Sequence, residues 1–436
     1  MSTKYTKPIV IYGKGKAMES VCALLSYLDI AYLQMDDQDA DSEIIKSSKI
    51  IIATPGIKPS HRLYTTYGKK IMSELSFLWK LIKDWYFPRR KNVTTIGITG
   101  TNGKSTTTWV LYQACKLLHP DKENTNIHLG GNFDIPLSGL LLKILQEKTT
   151  NQQHLIILES SSFMLWQLQN FTFDIGILLN IAPDHIDRHG TMKDYLQAKV
   201  NILVNAKTAI TNPDIKESIL KDQMRWISLL HRLRPFGQLK QSPHRRLVYL
   251  PLQDFHNPSF LWRHNAANFG AVDMILQSLY GADYDHSILS QIEPVAHRLQ
   301  TILLNNGLTI IDDSVSSSAH ALWAAIDAMN EPVVLISGWY DNGENYQEIS
   351  EKIKAKVQVA IFYGQTRAVL YPLAKQVISD VTMVETLWEA ITKAIEECKK
   401  NSLTTILYSP WAKSFDQFDN VYHRIRVFEE EIGKIR

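Results

Sequence analysis

The sequence predicts an α/β protein of three domains in series. Three observations carry that expectation: the chain length, a repeated alternation of short β-branched runs with helix-like segments, and two places where proline and charge interrupt the alternation. At 436 residues, and about 150 residues per domain, the chain divides into roughly three domains, each able to bury a core. Hydrophobic residues make up 45% and charged residues 21%, the values of a globular chain and too apolar for a largely disordered one.

From Pro8 to about Tyr86, the runs Ile9–Tyr12, Ala31–Met35 and Lys49–Ala53 read as strands, and Ala17–Leu28 reads as a helix between the first two. That order is the pattern of parallel βαβ units. The first turn, Gly13-Lys14-Gly15-Lys16-Ala17-Met18, approaches the dinucleotide fingerprint but has Met18 in place of its third glycine. It still predicts a tight strand-to-helix turn whose N–H groups meet a phosphate. Asp36 and Asp37 end the next strand, where a carboxylate suits a ribose hydroxyl and a plain loop aspartate is equally at home. These features predict a Rossmann-like first domain over residues 1–91. Pro88-Arg89-Arg90-Lys91-Asn92 then breaks the pattern and sets the boundary.

A second domain, residues 92–294, repeats the alternation with strands Val93–Thr99, Leu155–Leu158 and Ile175–Asn180 and helices Ser105–Leu118 and Lys193–Val204, becoming less regular after Pro213. Glu293-Pro294 closes it. Four further strands, Leu308–Ile311, Val333–Ile336, Gln358–Tyr363 and Thr404–Tyr408, predict a Rossmann-like third domain over residues 295–436.

Charge and cysteine usage exclude several classes. Lys plus Arg minus Asp plus Glu is 47 − 44 = +3, so the balance calls for no polyanionic partner. The clusters Arg89-Arg90-Lys91 and His244-Arg245-Arg246 read as solvated loops. Cys22, Cys115 and Cys398 lie far apart with no CxxC spacing, which predicts neither a disulfide framework nor a cysteine zinc site. The polar start leads straight into a strand-like run without a signal-peptide pattern, and no run reaches the roughly 18 apolar residues of a membrane span. The expectation is a cytoplasmic monomer with small-molecule partners and neither nucleic acid nor membrane.

The sharpest local signal is Thr94–Thr106, a β-rich run, the turn Gly100-Thr101-Asn102-Gly103-Lys104-Ser105, and an apolar-periodic helix. Strand, turn and helix are the context of a phosphate-binding loop. Gly100 and Gly103 let the backbone wrap so that N–H groups cradle phosphate oxygens, Lys104 neutralises them, and Ser105 can ligate Mg²⁺. Ile98 stands where the general pattern has its first glycine, so the strict expression fails by one residue. Glu159 and His185 follow two predicted strands, and their expected place at C-terminal strand ends beside the loop makes them candidate metal ligands. Such a site suits an ATP-dependent enzyme.

Gly100–Thr106 resembles the ATP-binding loop of the Mur ligases, the amide-forming enzymes of peptidoglycan synthesis. Further matching motifs are Gly130-Gly131-Asn132, Leu158–Phe163, Asn180–His189, Tyr195-Leu196-Gln197-Ala198-Lys199, His264-Asn265 with Asn268, His297-Arg298, and Ser409-Pro410 with Ser414–Phe418. They occur in the family's order along essentially the whole chain. The Asp184–His189 run and the Ser414–Phe418 ending are similar to those of members that add D-glutamate to UDP-N-acetylmuramoyl-L-alanine. The resemblance implies a central P-loop ATPase-type domain between a UDP-sugar-binding domain and an amino-acid-binding domain, with ATP and Mg²⁺ as cofactors. It implies a catalytic set of Lys104, Glu159, His185 and Lys199, with Lys199 carbamylated into a carboxylate-like ligand of a metal also held by Ser105, Glu159 and His185. Nucleotide contacts are implied for Gly100, Thr101, Asn102, Gly103, Lys104, Ser105 and Thr106, with Asn268 near the adenine, Arg298 at the phosphates and Asp313 at the ribose. Gly13, Gly15, Asp36 and Asn132 are implied for the UDP-sugar, and Ser317 and Ser414 for the incoming amino acid.

The third domain departs from the family. The usual Asn-Asp-Ser-Lys-Ala-Thr run stands as Asp312-Asp313-Ser314-Val315-Ser316-Ser317, and Asn342 occupies a second cationic position. A charge-assisted hydrogen bond to a carboxylate contributes about 1.5–3 kcal/mol, so two missing cations weaken the case for a dicarboxylic substrate. Lys413 is the candidate replacement, beside the plainer reading of a solvated lysine; Val421 replaces a residue that is often aromatic. Two other readings follow: a ligase for a less acidic amino acid, and a nucleotide-binding descendant without catalysis.

Overall fold

The computed structural model describes residues 9–39, 42–81, 92–119, 125–133, 135–149, 152–212, 215, 245–248, 257, 260, 263–316, 319–338, 353–365, 367–410, 418 and 421–435. They form an α/β structure with three sheets. The first contains β1 (Ile9–Tyr12), β2 (Tyr32–Met35), β3 (Ile51–Ala53) and β4 (Ile71–Met72) in the order β2-β1-β3-β4, all parallel. The second contains β5 (Val93–Thr99), β6 (Thr125–Gly131), β7 (Gln153–Glu159), β8 (Phe173–Leu178), β9 (Ala206–Thr211) and β10 (Arg245–Val248) in the order β10-β9-β8-β5-β7-β6, again all parallel. The third contains β11 (Gln300–Leu303), β12 (Thr309–Asp312), β13 (Val333–Ser337), β14 (Val357–Phe362), β15 (Asp380–Met383) and β16 (Thr405–Tyr408) in the order β11-β12-β16-β13-β14-β15, with only β11 antiparallel to its neighbour.

The helices are α1 (Lys16–Tyr27), α2 (Glu43–Ser47), α3 (Arg62–Tyr67), α4 (Glu74–Leu81), α5 (Lys104–Leu118), α6 (Leu137–Gln146), α7 (Ser162–Leu165), α8 (Ile186–His189), α9 (Met192–Val204), α10 (Arg263–Tyr280), α11 (Ala319–Ala328), α12 (Arg367–Lys375), α13 (Leu387–Asn401) and α14 (Val421–Gly433). Local chemistry sets their ends. Thr191 caps α9 by accepting from the Asp194 N–H, and Thr386 and Glu389 close a reciprocal capping box on α13, each satisfying donors that the first turn leaves open. Strand β5 is buried at six of its seven residues, as a central parallel strand covered on both faces must be.

Packing divides the chain into two compact units, Met1–His256 with Asn265–Ile292, and Asn257–His264 with Glu293–Arg436. The first two sheets share a unit because one apolar core runs through both: Ile9, Ile11 and Met18 belong to the same buried cluster as Leu137, Leu140, Ile156 and Phe173. Met18, where the dinucleotide fingerprint has glycine, is wholly buried in that core. Glu74 bridges the two layers within the unit, its carboxylate accepting from the Ser138 N–H at 3.1 Å and hydroxyl at 2.6 Å in the first turn of α6. The second unit carries apolar clusters on the two faces of its sheet. Among the described residues no helix is long and apolar enough to cross a membrane.

Candidate active site

The site is built where β5 ends. Gly103 has φ of 77°, the left-handed region that side chains adopt at a cost, and it starts α5. A Cβ at Gly103 would lie 2.3 Å from Asn268 Oδ1, so glycine also admits the close approach of α10. The turn is held by long-range bonds. Asn180 accepts from the Asn102 N–H through its side-chain oxygen at 2.8 Å and donates to the Asn102 carbonyl at 3.0 Å. The Thr101 hydroxyl accepts from the Ala182 N–H at 2.9 Å and lies 3.0 Å from the Tyr195 hydroxyl. Such pre-organisation aims the N–H groups of α5 outward from a helix N-terminus, where anions bind.

Two lysines converge on this turn. Lys104 Nζ donates to the Gly100 and Thr101 carbonyls at 3.0 and 2.7 Å. Lys199, on α9, is 2% exposed, and its Nζ donates to the same Gly100 carbonyl at 2.7 Å while lying 4.8 Å from the Tyr195 ring centre. Burial first, and the positive charge of Lys104 second, push the Lys199 amine well below the ordinary lysine range. A group so placed is stabilised in its neutral, nucleophilic form.

At the end of β7, Glu159 is buried and both carboxylate oxygens are engaged. Oε2 accepts from the Ser105 hydroxyl at 2.6 Å and Oε1 from the Asn132 amide at 2.7 Å. Ser105 and Glu159 thus present paired hard oxygens, the donors that Mg²⁺ takes. Among the described residues no three His, Cys, Asp or Glu side chains converge on one position.

His185 stands seven residues beyond β8 rather than at its end. It opens α8 with φ of 53°, and its Nε2 lies 3.4 Å from Asp184. Its ring is edge-on to Phe163 at 4.9 Å and to Tyr195 at 6.2 Å, and the Tyr195 hydroxyl reaches Thr101. His189, in the same helix, meets the Ser162 hydroxyl at 3.0 Å, and burial first, then Arg188, lowers it to about 4.

The other expected residues fall into separate groups. Gly13, Gly15 and Asp36 cluster at the C-terminal end of the first sheet, where Lys14 Nζ lies 3.2 Å from Asp36 and Gln38 N–H donates to its carboxylate. These bonds lower the Asp36 carboxyl below its ordinary value, the Gln38 bond foremost. In the second unit, Asp313 follows β12, is buried, and accepts from the Ser409 hydroxyl at 2.8 Å. Burial pushes its carboxyl up to about 7 against the opposing pull of Ser409 and Arg298. Its neighbour Asp312 accepts from the Ser314 N–H and from His297 Nδ1, both at 2.8 Å, and that bond raises His297 above the ordinary histidine value. Arg298 is exposed. Ser317, Asn342, Lys413 and Ser414 lie outside the described residues. Sequence reading passed over Asn180 and Arg424 as single residues. Arg424 is fully buried on α14 and donates to the Ser316 carbonyl at 2.9 Å, a contact across more than 100 residues that no local signal announces.

A parallel α/β sheet with a lysine-bearing phosphate loop, a serine–glutamate pair beside it and a second buried lysine defines a nucleotide-binding class of enzyme. The comparisons sharpen this. Residues 98–230 match the Mur ligase middle domain. The UDP-N-acetylmuramoylalanine–D-glutamate ligase of Hydrogenobaculum sp. (strain Y04AAS1) is 27% identical over 447 aligned positions covering 98% of each chain. The enzyme of the same name from Aquifex aeolicus (strain VF5) is 27% identical over 97% of each. Among solved structures, the MurF ligase of Thermotoga maritima in complex with ADP superposes with a TM-score of 0.56 over 99% of this chain and 96% of its own, at 16% identity. The chain is thus similar to the Mur ligases along almost its whole length, and its residues 98–230 match their middle domain.

Proposed function

We propose that this chain joins D-glutamate to UDP-N-acetylmuramoyl-L-alanine in an ATP-dependent reaction of peptidoglycan synthesis, through an acyl-phosphate. The observation that carries the reading is the convergence of Lys104, Lys199, Ser105 and Glu159 on the turn after β5, the equipment of phosphoryl transfer to a carboxylate. Residues 1–91 hold the UDP-sugar through Gly13, Gly15 and Asp36, with Asn132 reaching it from the edge of the second sheet. Residues 92–294 bind ATP, and residues 295–436 supply the amino acid through Ser317 and Ser414. The N–H groups of Gly100–Thr106 and the Lys104 ammonium hold the phosphates, Asn268 meets the adenine, Arg298 the phosphates and Asp313 the ribose.

Ser105, Glu159, His185 and carbamylated Lys199 are the proposed Mg²⁺ ligands. These residues would hold the metal, which would supply neutralisation of the charge that gathers as the two anionic reactants meet. The substrate carboxylate attacks the γ-phosphorus with loss of ADP. The amine of the amino acid then attacks the acyl carbon and releases phosphate. A neutral, buried Lys199 amine supports carbamylation, since the free pair on Nζ must attack CO₂ while a proton departs. The setting is a cytoplasmic monomer acting on small molecules.

Val315 supports a second reading, a less acidic amino acid, because it stands where the family carries lysine. Phosphate release from ATP, measured with UDP-N-acetylmuramoyl-L-alanine and each amino acid in turn, separates the readings. D-glutamate dependence supports the first, another amino acid the second, and no release with any of them overturns both.

A further inference from the structure

Arg188 takes no part in the reading above, yet it is only 6% exposed and touches three elements. It lies in α8, three residues after His185, and its N–H donates to the His185 carbonyl at 3.1 Å. Its Nη1 donates to the Gly56 carbonyl at 2.8 Å and its Nη2 to the Pro55 carbonyl, so both arms of the fork grip the turn after β3. The guanidinium carbon lies 4.1 Å from the centre of the Phe163 ring, and the same ring meets His185 edge-on. One side chain therefore fixes the turn at 55–56, the ring on α7 and the helix that begins at His185.

The turn is tied in the opposite direction to the first sheet. Thr54 N–H donates to the Tyr12 carbonyl at 3.0 Å, and Thr54 Cγ2 would lie 2.6 Å from a Cβ at Gly13. Gly13 is thus in direct contact with the strand exit that Arg188 holds. A path of packed and hydrogen-bonded groups runs Gly13–Thr54–Pro55/Gly56–Arg188–Phe163–His185. A planar guanidinium can meet two carbonyls with its fixed fork and lay its plane on a ring at once, whereas a lysine ammonium is a point charge with no plane to stack.

We propose that Arg188 is a positioning residue that couples the Gly13–Gly15 end of the first sheet to His185, so that nucleotide occupancy at the first sheet and divalent-metal binding reinforce each other. The proposal rests on the roles given above to His185 and to the first sheet. Linked sites must show reciprocal effects on affinity, which gives a readout independent of turnover. Mn²⁺ is titrated into the full chain with saturating ADP, with and without UDP, and free Mn²⁺ is followed by its electron paramagnetic resonance signal.

In the wild-type chain UDP should tighten Mn²⁺ binding about fivefold or more, the lower range of measured couplings. In Arg188→Ala the factor should fall to about one, and Arg188→Lys should recover only part of it. Phe163→Leu keeps the carbonyl bonds but removes the ring, and it should lose the coupling too, which decides the matter if Arg188→Ala does not fold. Circular dichroism melts show which variants are folded. A factor of about one in the wild-type chain, or wild-type coupling in folded Arg188→Lys and Phe163→Leu, overturns the proposal. Coupling without phosphate release for any amino acid would instead overturn the ligation reading and leave the positioning role standing.

Discussion

Replacing Asp313 by asparagine should raise stability at neutral pH and leave it almost unchanged in acid. The folded-state carboxyl titrates near 7 and its ordinary value is 3.8, so the folded protein holds this proton over a range in which the unfolded chain has lost it. Stability from that proton is complete below about 3.8, declines as the pH rises, and is fully lost above about 7. The difference, 7 − 3.8 or about three pH steps at about 1.36 kcal/mol each, amounts to up to about 4 kcal/mol. That is a large part of a typical domain stability of about 5–15 kcal/mol. Asparagine imitates the neutral acid and can still accept from the Ser409 hydroxyl. Calorimetric unfolding at pH 4, 5.5, 7 and 8 should show the variant gaining on the wild-type chain up to about pH 7 and holding that gain above it. In the proposed role at the ribose the gain would have a functional cost, because an ionised carboxylate accepts from hydroxyls more strongly than a neutral acid or an amide. Wild-type ADP affinity should therefore rise with pH toward 7, and Asp313→Asn should bind ADP weakly at every pH. A stability difference that does not vary with pH would refute the reasoning.

Three further outcomes are expected. Lys199→Ala should nearly abolish phosphate release, and high bicarbonate should not restore it; a fully active variant would remove Lys199 from the metal site. Gly103→Ala should weaken ADP binding at least about tenfold by isothermal titration, since the left-handed turn costs about 1–2 kcal/mol and the new Cβ would displace Asn268. The stacked pair His128 and His154, joined at 3.0 Å, is kept neutral mainly by burial, with His128 lowered to about 4. Stability from that pair is present above the ordinary histidine value and declines as the pH falls toward 4, so His128→Gln should shift the midpoint of acid unfolding downward.

The sequence read best where one short stretch carries its own explanation. Strand β5 is found over Val93–Thr99 as its β-branched run predicts, and α5 starts one residue earlier than expected because the left-handed Gly103 lets Lys104 join the helix. Legibility fades where the cause is distant in sequence. Nothing near Asn102 announces its bonds to Asn180, 78 residues on, and nothing near Arg188 announces carbonyls more than 130 residues before it. Strand β6 has no local signature, because Asn126 and His128 break its apolar pattern, and pairing with β7 along its whole length makes it a strand. His185 was expected at a strand end because Asn180 closes an apolar run. The strand stops at Leu178, as the backbone beyond it turns to hydrogen-bond the phosphate loop through Leu179 and Asn180.

The strongest electrostatic feature of the site is also its strongest argument for modification. Lys104 and Lys199 both donate to the Gly100 carbonyl, and two ammonium groups sharing one acceptor inside a protein repel across a low-dielectric gap. Holding Lys199 neutral relieves the repulsion but leaves a buried amine with little to contribute to phosphoryl transfer. Adding CO₂ to Nζ reverses the sign: the new carboxylate would attract Lys104 and supply the oxygens that a hard cation takes. The like-charge contact that disfavours two ammoniums thus favours the carbamate. It follows that Lys104→Met should do more than remove the proposed phosphate contact. With the opposing cation gone, the Lys199 amine should titrate closer to the ordinary lysine range and the carbamate should lose its ion-pair partner. Carbamate occupancy, read by ¹³C NMR with labelled bicarbonate, should therefore fall in Lys104→Met, and unchanged occupancy would show that the two lysines are not coupled.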